Sequence, residues 1–195
     1  QHVYVHRLTP HEGTFDVTQD SFYKIKAIDM DADGNSRMYV SDWKNGGYRF
    51  SRPDVGSVSL ITFPGKTAAN FPNLAKASDA DLLRHIVSDS AVCRINTQRE
   101  ILKRSAGGHI DGLTRLAADK SIHLHGRIAA LFTLKQLGGE SVNKTIARLT
   151  LDETIREWAY RALADRKRQT GGVNPALFVK ALRDKNPRVR LQAVI

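Results

Sequence analysis

Cysteine is nearly missing from this sequence: Cys93 is the only one among 195 residues. A single thiol excludes an internal disulfide, a cysteine zinc cluster and a Cys-x-x-Cys-His haem attachment within the chain. Cys93 stands next to Arg94 on an expected helix, where a small buried hydrophobe is expected rather than a nucleophile. Long apolar runs are lacking too, with no stretch near the roughly 18 residues that cross a bilayer. No Gly-rich phosphate loop, Gly-x-Ser-x-Gly elbow or His-Glu-x-x-His pair occurs, so the sequence nominates no catalytic residue. Gln1-His2-Val3-Tyr4-Val5 has neither the basic start nor the apolar centre of a signal peptide and reads as strand. Arg188 to Ile195 breaks off inside an amphipathic helix with no Gly stop signal. Both ends therefore suggest an internal piece of a longer protein.

What is present is periodic. An Arg, a small residue three later and an aliphatic seven later recur as Arg94/Thr97/Ile101, Arg127/Ala130/Leu134 and Arg156/Ala159/Leu163, and Arg190/Ala193 begins a fourth copy. Ahead of each Arg lies a short aliphatic stretch, Leu83/Ile86, Leu113/Leu116, Ile146/Leu149 or Val179/Leu182, and then Asp89, Asp119, Asp152 or Asp184. An Asp in a turn accepts bonds from the first amides of the helix that follows. Gly107-Gly108, Gly138-Gly139 and Gly171-Gly172 separate the units. Recurrence of helix pairs at this spacing predicts stacked helix hairpins, a HEAT-like α-solenoid, over residues 78–195.

Residues 1–65 read differently. Short alternating runs such as Val3-Tyr4-Val5, Thr14 to Val17, Arg37 to Trp43 and Ser57 to Phe63 are separated by turn residues. That pattern predicts the C-terminal end segment of a β-propeller, incomplete at this length. Residues 66–77, with Asn70, Pro72 and Asn73, read as a linker. Within the strand region Asp29-x-Asp31-x-Asp33-Gly34 matches the opening of a calcium loop, with alternate carboxylates able to converge on a hard cation. The EF-hand pattern fails beyond it, since Val40 stands where Glu is needed. A calcium loop between strands and a plain acidic turn both remain open.

Charge is uneven. Up to residue 76 nine Lys and Arg face eight Asp and Glu; beyond it 21 face 12. A basic helical half admits an acidic partner, whether nucleic acid, an anionic lipid surface or an acidic protein. The equivalent places of Arg94, Arg127, Arg156 and Arg190 argue for an internal structural task instead. His123-Leu124-His125 has the wrong spacing for two metal ligands on one helical face and reads as helix-end chemistry.

Two sets of residues carry a family likeness. Ile28 to Gly34, Arg37 to Trp43, Gly46-Gly47 and Pro53 to Gly56 form the first. Gln98 to Arg104, Arg127 to Leu137 and Arg188 to Ala193 form the second. Together they resemble the membrane-bound-dehydrogenase-like, haem-binding proteins abundant in planctomycete and verrucomicrobial bacteria. The resemblance implies a propeller followed by HEAT repeats and a terminal cytochrome c module, in an exported, periplasmic oxidoreductase. It also implies a c-type haem and a quinone cofactor for the longer protein, neither with a ligand here. The expectation is a non-catalytic scaffold segment meeting a protein partner or neighbouring domains of its own chain. The rivals are a stand-alone HEAT-repeat interaction module and a basic nucleic-acid binder.

Overall fold

The computed structural model describes residues 2–44, 55–65, 67, 70–104 and 107–194. They divide into two units, residues 1–11 with 15–71 and residues 12–14 with 72–195. The strands are β1 (Val3–His11), β2 (Thr14–Tyr23), β3 (Ala27–Ala32), β4 (Met38–Asp42) and β5 (Ser57–Ile61). The helices are α1 (Asp79–His85), α2 (Ala91–Arg104), α3 (Ile110–Ala118), α4 (Leu124–Gly138), α5 (Asn143–Leu149), α6 (Arg156–Ala164), α7 (Ala176–Ala181) and α8 (Pro187–Val194).

This architecture corrects the expected fold class. The described residues form a small α/β protein with two small antiparallel sheets and eight helices, not a β-propeller end followed by a HEAT-like α-solenoid. The sheets have two and three strands, short of the four that make a propeller blade. The helices run from six to fifteen residues in pairs of unequal length. The repeated Arg and Asp arise from the needs of individual turns, and the bonds they make differ from turn to turn, as shown below.

Alternation of side chains explains the three-stranded sheet. Asp29, Ser41 and Val58 stand opposite one another on one face, as do Asp31, Tyr39 and Leu60. Val40 belongs to the other face and is fully buried. Asp42, at the end of β4, is buried and bound across the sheet. Its Oδ2 accepts from Ser57 Oγ at 2.7 Å, and its Oδ1 from the Lys44 amide at 2.6 Å. The Ser57 bond leads the effects that hold its carboxyl below the ordinary range. Gly46-Gly47 and Pro53-Asp54, which belong to the family likeness, lie outside the described residues.

The stretch read as a linker contains anchored pieces. The Phe71 amide donates to Asn35 Oδ1 at 2.8 Å, and the Phe71 ring covers Gly34 so closely that a Cβ there would meet ring carbon at 2.7 Å. Beyond it, Leu74–Lys76 form one 3-10 turn with Leu74 buried. Ser78 then opens α1 with a capping box: its Oγ accepts the Asp81 amide while Asp81 accepts the Ser78 amide.

In the helical unit α1 packs on α2, α3 on α4, α5 on α6 and α7 on α8. The second helices of these pairs also touch in succession, α2 on α4, α4 on α6 and α6 on α8. Ile101, Leu113, Leu131, Leu134, Ile146 and Leu163 are fully buried between them. The small residues Thr97, Ala130 and Ala159 are also fully buried, which lets the helices approach. Gly126 lets α4 come close to the chain just past α1, since a Cβ there would lie 3.0 Å from the Val87 Cβ and 3.1 Å from its Cα. Gly139 ends α4 at φ +57, a conformation glycine adopts without strain.

Lys135 is the largest fully buried side chain in the protein's described part. Its Nζ donates to Asn143 Oδ1 at 2.6 Å and to the Gln169 carbonyl at 2.8 Å, tying the end of α4 to the segment between α6 and α7. Burial lowers its pKa from the ordinary lysine value.

Candidate functional site

The recurrent arginines bond turns, and they do so in two ways. Arg94 reaches back to its own turn, its Nη1 donating to the Ser88 and Asp89 carbonyls at 2.6 and 2.9 Å. Arg190 does the same with the Asp184 and Lys185 carbonyls. Arg127 and Arg156 reach forward instead. Arg127 donates through Nη2 to Asp152 at 2.7 Å and through Nη1 to Thr154 Oγ1 at 2.6 Å, while its Nε holds the Ala117 carbonyl. Arg156 donates to Asp184 at 2.8 Å. These two pairs bind the α4 helix to the α5–α6 turn and α6 to the α7–α8 turn.

Contrary to expectation, the turn carboxylates do not cap the helices that follow but accept amides two residues on, within their own turns. Asp119, Asp152 and Asp184 accept the amides of Ser121, Thr154 and Asn186. At the first turn Ser88 Oγ takes that role, accepting the Ser90 amide, and Asp89 is exposed, 3.3 Å from His123 Nε2. His123 is the N-cap of α4, its Nδ1 accepting from the Gly126 amide.

Arg127 is 2% exposed, and Asp152 at 2.7 Å is its counter-charge. Burial works against the Asp152 charge, but the Arg127 guanidinium and the Thr154 amide and hydroxyl outweigh it. They hold the carboxyl at about 2, down from the ordinary 3.8. A folded pKa below the unfolded one contributes stability that is complete above 3.8 and lost as pH falls through about 2. The contribution is about 2 kcal/mol. Urea midpoints from about pH 5 to about pH 2 are expected to fall less steeply in Asp152→Asn than in the wild type.

With the second helices fixed side by side, α2, α4 and α6 form the sides of a hollow of about 590 Å³. Its floor is Ile95, Ile128, Phe132 and Trp158, and Arg94 and His125 stand among its lining residues. Ile95 is 48% exposed, and Ile128, Phe132 and Trp158 are partly exposed. The Arg161 guanidinium lies 5.8 Å from the Trp158 ring centroid, a cation–π distance. Apolar floors with a few polar groups at the rim are the general form of binding clefts.

The sequence reading passed over this groove. A partial signal for it was present: an aliphatic follows the recurrent Arg directly at Ile95 and Ile128, whereas Glu157 takes that place on α6. That position lies one residue round from the buried stripe, on the flank that α2 and α4 share.

The candidate calcium residues do not gather. Asp29 and Asp31 lie on β3 and each accepts the amide of the next residue. Asp33 sits in the β3–β4 turn, where one oxygen accepts the Asn35 and Arg37 amides and the other pairs with the Arg37 guanidinium at 2.6 Å. The Asp33 carboxylate is thus committed within its own turn. Among the described residues no group of three His, Cys, Asp or Glu side chains is placed to hold a metal. Cys93 is buried, its Sγ 4.0 Å from Thr97 Oγ1, and offers no haem attachment. Among the described residues no helix is long and apolar enough to cross a membrane. Compared with known proteins, the chain matches no family model, no curated protein and no solved structure.

Proposed function

We propose that this chain is a non-catalytic interaction segment that holds a peptide stretch of a protein partner in the α2–α4–α6 groove. The observation that carries the reading is the groove itself: four partly exposed apolar side chains from three helices, floored together. The forward bond of Arg127 supports it further, because it ties α4 to the turn that leads into α6 without a ligand. Preorganised surfaces of this kind bind without the cost of ordering the receptor. The residue likeness to dehydrogenase-like haem proteins extends the proposal to a setting: a brace between parts of an exported oxidoreductase.

The test is selection of a random peptide library on the full chain. Selected peptides are expected to lose about tenfold or more in affinity against Phe132→Ser and Trp158→Ala, the central aromatic anchors. Failure to select any peptide, or selection of peptides that bind both variants as well as the wild type, contradicts the reading.

A further inference from the structure

The charge around the groove specifies its occupant more closely, and the inference rests on the interaction reading just given. The helix α4, which carries the centre of the floor, has no Asp or Glu in its sequence from Leu124 to Gly138. On α2 the one carboxylate is Glu100, and it pairs with Arg104 at 2.9 Å. On α6 Glu157 is held by Arg188 through two bonds of 2.5 and 2.9 Å. Asp165, at the far end of α6, lines a separate hollow with Arg161 and Gln192. The acids on the three helices are thus spent on the flanks, and none lines the groove.

Among the cations nearby, Arg94 lines the groove, and Arg161 reaches its Trp158 ring from the separate hollow that it shares with Asp165. Arg94 meets carbonyl oxygens rather than a carboxylate. Arg161 is exposed and lies against the Trp158 ring, and among the described residues it has no carboxylate partner. Arg99 is exposed one turn along α2 from Ile95 and likewise has no carboxylate partner among the described residues. An apolar floor between cationic edges is complementary to a peptide with bulky apolar anchors flanked by acids. A phosphate backbone is served less well. A nucleic-acid track needs a row of outward cations, and Arg127 and Arg156 are consumed inside the fold.

We infer that the α2–α4–α6 groove takes an acidic peptide segment of a partner protein. Its apolar side chains rest on Phe132 and Trp158, and its carboxylates face Arg94, Arg99 and Arg161.

The experiment titrates the full chain, carrying Trp43→Phe so that Trp158 alone reports by fluorescence. The probes are synthetic peptides of about 12 residues with the same Leu and Phe anchors and Glu, Gln or Lys at every other position. A single-stranded oligonucleotide of about 20 nucleotides is the fourth probe. The Glu peptide is expected to bind about tenfold more tightly than the Gln peptide, and the Lys peptide more weakly still. Raising the salt to about 1 M should erase most of the Glu advantage. Arg161→Gln, a change at an exposed position, should reduce that advantage without altering affinity for the Gln peptide. Equal binding of the Glu and Gln peptides overturns the acidic-partner inference and leaves the interaction function standing. Binding of the oligonucleotide in preference to the Glu peptide overturns both and assigns the groove to nucleic acid. Absence of binding by all four probes also overturns the acidic-partner inference, while the library selection decides the interaction function separately.

Discussion

Asp152→Ala is expected to lower the stability of the helical unit by about 3–5 kcal/mol, the cost of breaking a buried ion pair from one side. The carboxylate it removes has two tasks. One oxygen receives the Arg127 guanidinium at 2.7 Å, and the other accepts the Thr154 amide and hydroxyl within the α5–α6 turn. Alanine leaves Arg127 2% exposed and without its counter-charge, and it also removes the bonds that close the turn. Asp152→Asn separates the two effects, since its amide oxygen can still accept in the turn while the charge is lost. A double-mutant cycle with Arg127→Met, read by urea unfolding, is expected to give a coupling energy well above the 0.2–1 kcal/mol range of an exposed pair, about 2 kcal/mol or more. A coupling near zero would show that the two groups do not act on each other.

Leu134→Ala is the second large effect. Leu134 is fully buried in α4, a helix that packs against α2, α3, α5 and α6. Truncation removes its contacts and opens a void that helices held by fixed ties cannot close, so the expected loss is about 2–5 kcal/mol. Ile95→Ala provides the comparison, because Ile95 is 48% exposed on the same set of helices. It is expected to stay within about 0.5 kcal/mol of the wild type. Equal losses at the two positions would mean that the groove residues are core rather than surface.

The local chemistry of the chain was more legible than its architecture. The Arg-small-aliphatic spacing located the buried faces of α2, α4 and α6, because side-chain periodicity and burial are both local properties of a helix. The Asp residues at three turns were legible for the same reason, though they bond their own turns and not the helices that follow. The architecture was not, because a recurrent motif need not make a recurrent contact. Arg94 and Arg127 occupy the same place in the pattern, yet one bonds its own turn and the other the next. A long guanidinium arm reaches either, and the choice depends on how the helix pairs meet, which no spacing encodes. The strand pattern failed differently. Alternation reports a strand with two unlike faces but not the number of strands beside it, and the sheets here have two and three. The acidic run Asp29 to Asp33 looked like a cation loop because its geometry depends on what Arg37 does. That arginine pairs with Asp33 within the turn.

The groove was missed because its residues are neither buried nor charged. Ile95, Ile128, Phe132 and Trp158 come from three helices, and only packing brings them together. Lys135 escaped for the opposite reason. Lysine is ordinarily a surface residue, and its burial rests on carbonyl and amide oxygens contributed by Gly139, Asn143 and Gln169.

The central claim is that a partner's peptide rests on α2, α4 and α6. Methyl NMR of the full chain, labelled at isoleucine and titrated with a library-selected peptide, tests it most directly. The Ile95 and Ile128 signals are expected to shift together and saturate at one stoichiometry, while Ile28 and Ile61 on the sheet stay in place. Saturable shifts at Ile28 or Ile61, with Ile95 and Ile128 unmoved, would contradict it.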